Sequence, residues 1–334
     1  MTAARPTTTT SGIEDEMTDA AQLPAPTPHV ARDAVVDDDI RDDIARFEAD
    51  GFLGPIKLYE PDEATEMIRE IRVQNQRREN ALYHNSVNYD RHFDISLLSR
   101  HVCHPTIARY LQGILGPDVL LWRTEFFPKF PGSEGTEWHQ VRDYSYANGN
   151  PQLLPTETEW NAFIDITVWT TFTPATLETG CMRFMRGSHK HWYFDERKAT
   201  ARGRTGEYDV NEVDTQFFGY EFSDFKIDPS WVPPDEDVVN LVMEPGEAVI
   251  FTANCVHGSL PNRTERQTRF AIAGRYVPTH VRVYPEQDWF TAHGARFDLS
   301  NYGSVLVAGR NDYDHNRIRT HNNLGEPFTT NFPR

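Results

Sequence analysis

Cysteine is scarce in this chain: Cys103, Cys181 and Cys255 are the only three among 334 residues. They are too few and too scattered for a disulfide framework, and no CxxC pair is present to begin a zinc site. They read as small buried residues of a protein kept in a reducing cytoplasm. Long hydrophobic runs are missing as well. No stretch approaches the roughly 20 apolar residues needed to span a bilayer, and the N-terminus lacks the basic region and apolar run of a secretory signal. Basic charge is also in short supply, with 33 Lys and Arg against 50 Asp and Glu. Phosphate binding needs a basic face, so nucleic acid is excluded as a partner. Much of the acid is local, since residues 1–50 hold twelve acidic and four basic side chains. Neither a Ser-His-Asp set nor a carboxylate pair stands out, which argues against acid–base hydrolysis.

What the chain does contain is enough apolar material for a sizeable core, with 38% hydrophobic and 12% aromatic residues. Residues 1–35 are rich in Thr, Ala, Pro and acid without periodicity and predict a disordered leader; residues 36–334 predict a single domain. Asp37 to Asp50 reads as a helix with Ile40, Ile44 and Phe47 on one stripe and Gly51 as its C-cap. A turn and short strand, Gly51 to Pro55, should lead out of it. Pro61 opens a second helix, with Ala64, Met67 or Ile68, and Ile71 inward. A third begins near Pro105, carries Ile107, Leu111 and Ile114, and stops at Gly116-Pro117.

Beyond Asp118 the pattern changes to short β-type runs separated by Gly, Pro and Asn turns. These are Val119 to Pro128, Phe163 to Phe172, Cys181 to Met185, Val238 to Met243, Ala248 to Phe251 and Arg269 to Val277. A helical front followed by many short strands predicts a mainly β fold, a double-stranded β-helix or jelly roll with helices packed outside it. The tail from Pro285 is expected to cover one end of the barrel. No internal repeat is present.

Thirteen histidines offer several candidate ligands. His101 and His104 stand at helical spacing but lack the intervening Glu of a helical zinc site. His189 and His191 have strand spacing within a turn-like Gly187-Ser188-His189-Lys190-His191, a composition more often structural or solvated. His139, in Trp138-His139-Gln140-Val141-Arg142-Asp143-Tyr144, differs because of its company. A Pro245-Gly246-Glu247 turn leads to a strand and then to His257, and Arg269 follows twelve residues later. A mononuclear non-haem iron site uses two histidines and one carboxylate on one face. The acid normally lies two residues after the first histidine, because a strand returns to the same face with period two. Here that position is Val141, which cannot ligate a metal. Asp143 is on the same side of a regular strand but roughly 13 Å further along, so only a bulge or sharp turn could bring it to the same ion. An arginine such as Arg269 suits the far carboxylate of a 2-oxo acid bound through its keto-acid end.

These residues, together with Thr167-Val168-Trp169-Thr170-Thr171-Phe172-Thr173, Gly180-Cys181, Phe217-Phe218-Gly219-Tyr220, Arg275-Tyr276-Val277-Pro278 and Val283-Tyr284-Pro285, carry a family resemblance. From about residue 118 to 325 the chain resembles the 2-oxoglutarate-dependent iron oxygenases of the phytanoyl-CoA dioxygenase type. Within them it looks like the chlorinating enzymes, or aliphatic halogenases, of natural-product biosynthesis, nearest to the threonyl-halogenase type of syringomycin biosynthesis. Asp50-Gly51-Phe52 also looks like the front of the wider family. The resemblance implies His139 and His257 as iron ligands and Arg269 as the partner of the far carboxylate of 2-oxoglutarate. It implies Thr136 and Trp169 as hydrogen-bonding neighbours of that co-substrate, and Arg275, Thr167 and Tyr144 as a layer behind the vacated coordination position. The halogenases replace the iron carboxylate by Ala or Gly and place chloride there. Val141 departs from that pattern by being larger.

By the same resemblance the cofactors are Fe(II), 2-oxoglutarate, O2 and chloride, with chlorine delivered to an unactivated C–H of an amino-acid-like substrate. That substrate would be aminoacylated on a carrier protein's phosphopantetheine arm, or would be a free amino acid or other small metabolite. Arg197, Lys198, Arg202 and Arg204 form the one candidate basic patch for an acidic carrier, in a segment that otherwise reads as a solvated loop. Two alternatives stay open: a hydroxylase that uses water or Asp143 at the vacant position, and a non-catalytic jelly-roll binding module in which Val141 marks a decayed site.

Overall fold

The computed structural model describes residues 30–31, 33–75, 79–141, 151–156, 163–195, 222–292 and 295–329. Of the expected leader, only its last residues fall within that range, and they are tied down. Ala31 N–H donates to Ile114 O at 3.0 Å and Val35 N–H to Gln112 O at 3.1 Å. A 3-10 turn, Asp38–Ile40, runs into α1 (Arg41–Asp50). Ile40, Ile44 and Phe47 are buried on one side, and Gly51 at φ 83° closes the helix with its N–H on Phe47 O. Pro61 stands at the first position of α2 (Pro61–Gln74), where its missing N–H costs nothing, and Ala64, Met67, Ile68 and Ile71 all face inward. Two further helices follow, α3 (Ser96–His101) and α4 (Pro105–Leu115).

The strands form two antiparallel sheets. The larger has β1 (Phe52–Lys57), β2 (Val119–Lys129), β5 (Ile166–Thr171), β8 (Glu247–Thr252), β10 (Arg269–Pro278) and β14 (Val305–Ala308), in the order β1-β8-β5-β10-β2-β14. The smaller has β3 (Thr136–His139), β6 (Met182–Met185), β7 (Val238–Leu241) and β9 (His257–Ser259), in the order β3-β9-β6-β7. Two short pairs complete the set: β4 (Leu153–Pro155) with β11 (Val281–Val283), and β12 (Trp289–Ala292) with β13 (Ala295–Asp298). This is the mainly β jelly roll with flanking helices that the strand spacing predicts.

Period-two alternation divides the middle of the larger sheet. Ile166, Val168, Ala248, Ile250 and Tyr276 turn outward into the cluster shared with α1 and α4. Trp169, Val249, Phe251, Ala271 and Ala273 turn inward and meet Met182, Phe184 and Leu241 of the smaller sheet. A third cluster joins α2 and α3 to Phe126, Phe172, Phe270 and Ile272. The inner space between the sheets is lined by Phe127 and Lys129 of β2, Thr167 and Trp169 of β5, and Arg269, Ala273 and Arg275 of β10.

The tail departs from expectation. Instead of only covering an end of the barrel, it extends the larger sheet, with β14 pairing along β2. It also buries Phe290 and Phe297, stacked at 4.6 Å, in the main core. The short hydrophobic period of β14 is too brief to be told from loop by sequence.

Phe47 is fully buried and meets Phe163 edge-on at 5.0 Å, joining α1 to the strand side of the core. Phe47→Ala is expected to destabilise the protein by about 3–5 kcal/mol, read as a lowered midpoint in chemical denaturation with an unchanged slope.

Candidate metal centre

His139 ends β3 and His257 begins β9, and the two are directly paired across the strands. Their ring centroids are 4.1 Å apart, so the two rings can share one ion bonded at about 2 Å to each. The approach depends on Gly258. A Cβ there would lie 2.7 Å from Thr136 O and 3.1 Å from Glu137 O, inside the space that β3 itself occupies. The register also slips between Thr136 and His139, a bulge-like irregularity that re-aims a side chain.

Each imidazole is oriented in the same way. His139 Nδ1 donates to Glu137 O at 2.9 Å and His257 Nδ1 to Cys255 O at 2.7 Å, in both cases the carbonyl two residues earlier. With Nδ1 as donor, the lone pair sits on Nε2, the arrangement that prepares a histidine to ligate a metal. Burial pushes the His139 imidazolium down to about 4, and the nearby Arg275 charge acts in the same direction. Burial holds His257 well below the ordinary range, helped by His139 and Arg275. Both rings are therefore neutral near pH 7, as ligation requires. Phe222 stacks on His139 with centroids 4.2 Å apart.

The cavity beside the pair is lined by Thr136, Thr167, Trp169, Arg269 and Arg275 as well as both histidines. On β10, residues 269, 271, 273 and 275 share the inner face, so the two arginines stand roughly 20 Å apart along the strand, with only Ala271 and Ala273 between them. Small side chains there leave the floor open. At one end, Arg275 Nη2 donates to Glu125 Oε2 at 2.8 Å, and Glu125 and Asp165 hold its positive charge in place. Thr167, opposite Arg275 on β5, has a buried hydroxyl with no hydrogen-bond partner among the described residues.

At the other end, Arg269 is only 4% exposed. Its Nε donates to Gly180 O at 3.2 Å and its Nη1 to Phe127 O at 3.1 Å, and the guanidinium lies 4.9 Å over the Trp169 ring. Among the described residues it has no carboxylate partner. Burial without an anion lowers even this guanidinium to about 10. Thr136 Oγ1 accepts from Ser259 Oγ at 3.0 Å.

Seven of the sequence-predicted site residues thus meet in one cavity. Val141 lies two residues past the end of β3, buried at 8% exposure with its N–H on Ala253 O at 3.0 Å. It lies beside the site and does not line the cavity. Tyr144 and Asp143 lie outside the described residues, as do Phe217 to Tyr220 and the basic patch Arg197, Lys198, Arg202 and Arg204. Among the described residues no group of three His, Cys, Asp or Glu side chains could hold a metal.

The competing histidines have structural partners: His101 Nδ1 bonds Tyr59 OH at 3.0 Å, His104 Nδ1 accepts from Thr106 N at 3.2 Å, and His189 Nε2 meets Glu48 O at 3.2 Å. All three cysteines are buried free thiols, and burial pushes Cys103 and Cys255 up to about 12. Sequence reasoning missed Glu125, Asp165, Ser259 and Lys129. The available signal was a run of charge at alternate positions of an apolar strand, at Arg123, Glu125 and Lys129.

Fold and cavity together place a paired-histidine pocket inside a jelly roll. Residues 47–271 match the phytanoyl-CoA dioxygenase (PhyH) family, and the chain belongs to it. Dioxygenase lolE1 of Epichloe uncinata is 28% identical over 185 residues, and peroxisomal phytanoyl-CoA dioxygenase of Rattus norvegicus is 25% identical over 174 residues. These matches take in 55% and 50% of this chain and 55% and 42% of the relatives, so the chain spans about half the length of the curated relatives it matches. The solved structure of CytC3 with Fe(II) and α-ketoglutarate is 35% identical, with a TM-score of 0.67, covering 90% of this chain and 98% of that one. The ThoJ–Ni complex, a non-heme monooxygenase, shares the fold at 22% identity and a TM-score of 0.55, over 80% of this chain and 84% of that one. No helix among the described residues is long and apolar enough to cross a membrane.

Gly258→Ala is expected to force β3 and β9 apart and to cost about 1–3 kcal/mol of stability. Weaker Co(II) binding in a titration of the folded variant would report that the two imidazoles have separated.

Proposed function

We propose that this protein is an Fe(II)- and 2-oxoglutarate-dependent halogenase that chlorinates an unactivated aliphatic C–H of an amino-acid-like substrate. The observation that carries the halogenase reading is Val141, an aliphatic side chain where an iron-binding carboxylate is expected, together with the lack of a third ligand among the described residues. His139 and His257 hold the metal through Nε2. Arg269 receives the far carboxylate of 2-oxoglutarate, which supplies the anion that this buried cation lacks. Thr136 and Trp169 complete that end, one by its hydroxyl and the other by a dry aromatic wall under the guanidinium. Arg275, fixed by Glu125, and the unpartnered Thr167 hydroxyl offer fixed donors at the opposite end; Tyr144 joins them on this reading.

When bound by His139, His257 and Arg269, iron with 2-oxoglutarate and O2 would supply the oxidising power needed at an unactivated C–H. The chain itself acts by position: it keeps water out, fixes the co-substrate, and places the C–H nearer to the halide than to oxygen. No side chain serves as general acid or base. The substrate is a free amino acid or an aminoacyl group on a carrier protein.

The alternative outcome is hydroxylation, favoured by Asp143 standing four residues after His139 and by relatives named as dioxygenases. Product mass separates the two. Iron-loaded protein given 2-oxoglutarate, O2, chloride and a panel of free and carrier-bound amino acids is expected to yield chlorinated product with the isotope pattern of chlorine. Hydroxylated product alone would refute halogenation, and absence of the anaerobic iron(II)–2-oxoglutarate charge-transfer band would refute the cofactor assignment. Arg269→Met is expected to weaken 2-oxoglutarate binding about 100-fold, as loss of one member of a buried charge pair does, measured by titrating that band.

A further inference from the structure

We propose that Lys129 is a second cation for the far carboxylate of the co-substrate, acting beside Arg269 and helping to select a dicarboxylate over a monocarboxylate 2-oxo acid. The inference rests on the co-substrate reading above and concerns a residue that reading does not use.

Lys129 and Arg269 are direct cross-strand partners in the β2–β10 ladder. Such partners project from the same face with their Cβ atoms about 5 Å apart, and both line the cavity. Both are buried, at 6% and 4% exposure. The same turn seats them. A Cβ at Gly180 would lie 2.6 Å from Lys129 Cδ, so the lysine stem is laid along this glycine, whose carbonyl oxygen accepts from Arg269 Nε. Gly180 is at φ 90°, a conformation other residues rarely adopt.

Lys129 Nζ donates to Glu134 O at 2.7 Å, and an ammonium carries three donors, so two remain for other acceptors. Neither cation forms an ion pair with a carboxylate among the described residues. Two adjacent buried cations repel one another and lack the anion that would make their burial tolerable. A carboxylate entering the cavity and reaching both at once removes both penalties. A terminal methyl in its place removes neither.

The charged groups facing Lys129 are Arg269 on β10, Arg183 on β6 and Glu134 in the loop after β2. Burial first, then the two arginines, lower its ammonium to about 7, while Glu134 opposes them weakly. A bound anion stabilises the charged form, so binding and protonation favour each other. Co-substrate affinity is therefore highest below pH 7 and declines as pH rises through that value, while Arg269 stays charged.

Iron-loaded protein under anaerobic conditions can be titrated with 2-oxoglutarate and with 2-oxopentanoate, which has a methyl in place of the far carboxylate. The charge-transfer band reads binding from about pH 6 to about pH 9. Wild-type protein is expected to lose roughly tenfold in affinity for 2-oxoglutarate over that range. Lys129→Met is expected to start about tenfold weaker at low pH and stay flat. Lys129→Arg should keep the low-pH affinity and abolish the decline. Binding of 2-oxopentanoate should be the same in wild type and Lys129→Met. Unchanged 2-oxoglutarate binding by Lys129→Met would overturn the proposal, as would equal weakening of both acids, which marks a lysine that only anchors the 130–135 loop. Should Lys129→Met fail to fold, a pH-independent wild type or a pH-dependent Lys129→Arg would overturn it. A wild type that binds neither acid defeats the underlying co-substrate reading as well, and so is distinguished from failure at Lys129 alone.

Discussion

The closeness of two backbones, β3 and β9, is the constraint on which the rest of the site depends. Because residue 258 has no side chain, the strands lie near enough for His139 and His257 to face each other as a cross-strand pair. Each ring is then fixed by a bond to the carbonyl two residues before it, at Glu137 and at Cys255. Rotation about χ1 and χ2 is limited by those bonds and by packing against Phe222 on one side and Phe251 on the other. Orientation is thus supplied by main chain, which no surface substitution alters, and the rings are held neutral by burial before any metal arrives.

The larger sheet answers a different requirement. Its inner face carries charge into a place that would ordinarily reject it, and the two ends treat that charge oppositely. Arg275 is balanced at once by Glu125 and Asp165, so that end is complete in the protein alone. Among the described residues Arg269 has only carbonyl oxygens and the face of Trp169. Those contacts tolerate a guanidinium but do not neutralise it, and the neighbouring Lys129 makes the imbalance greater. A buried cation without an anion is destabilising in isolation. Its retention in a rigid strand is understandable where an anionic ligand restores the balance, which links the energetics of the fold to the chemistry proposed for it.

Periodicity made most of this architecture legible. The apolar stripes of α1, α2 and α4 and the β-rich runs of the larger sheet were identifiable because their burial faces repeat at 3.6 or 2 residues. His139, His257 and Arg269 could be grouped through family likeness, and the structure brings them to one cavity. Lys129 and Glu125 were not legible, since a charged residue in an apolar strand resembles an interruption until its cross-strand partner is known. Pairing of Lys129 with Arg269 spans 140 residues of sequence and is fixed only by the β2–β10 register. The short strands β3, β9 and β14 escaped for a related reason: three or four residues carry too little pattern to be distinguished from loop. Arg142 to Asn150, which include Asp143 and Tyr144, lie outside the described residues.

Charge balance bears on the halogenase proposed above, in which Val141 stands where an iron-binding carboxylate is expected. In a site with two neutral imidazoles and one carboxylate, a divalent iron keeps one positive charge, and a dicarboxylate co-substrate cancels it with its near end while its far end meets an arginine. Replacing the carboxylate by valine removes one negative charge and leaves the iron half of the cavity cationic. Arg275 adds nothing to offset this, because its own charge is already matched by Glu125 and Asp165. Water in the vacant place would leave that excess buried, at an energetic cost that grows as the surroundings become drier. On that proposal a halide ion would restore the balance with one negative charge and would need no proton. On the halogenase proposal, a position that offers no protein ligand would favour a small monoanion beside the two histidines.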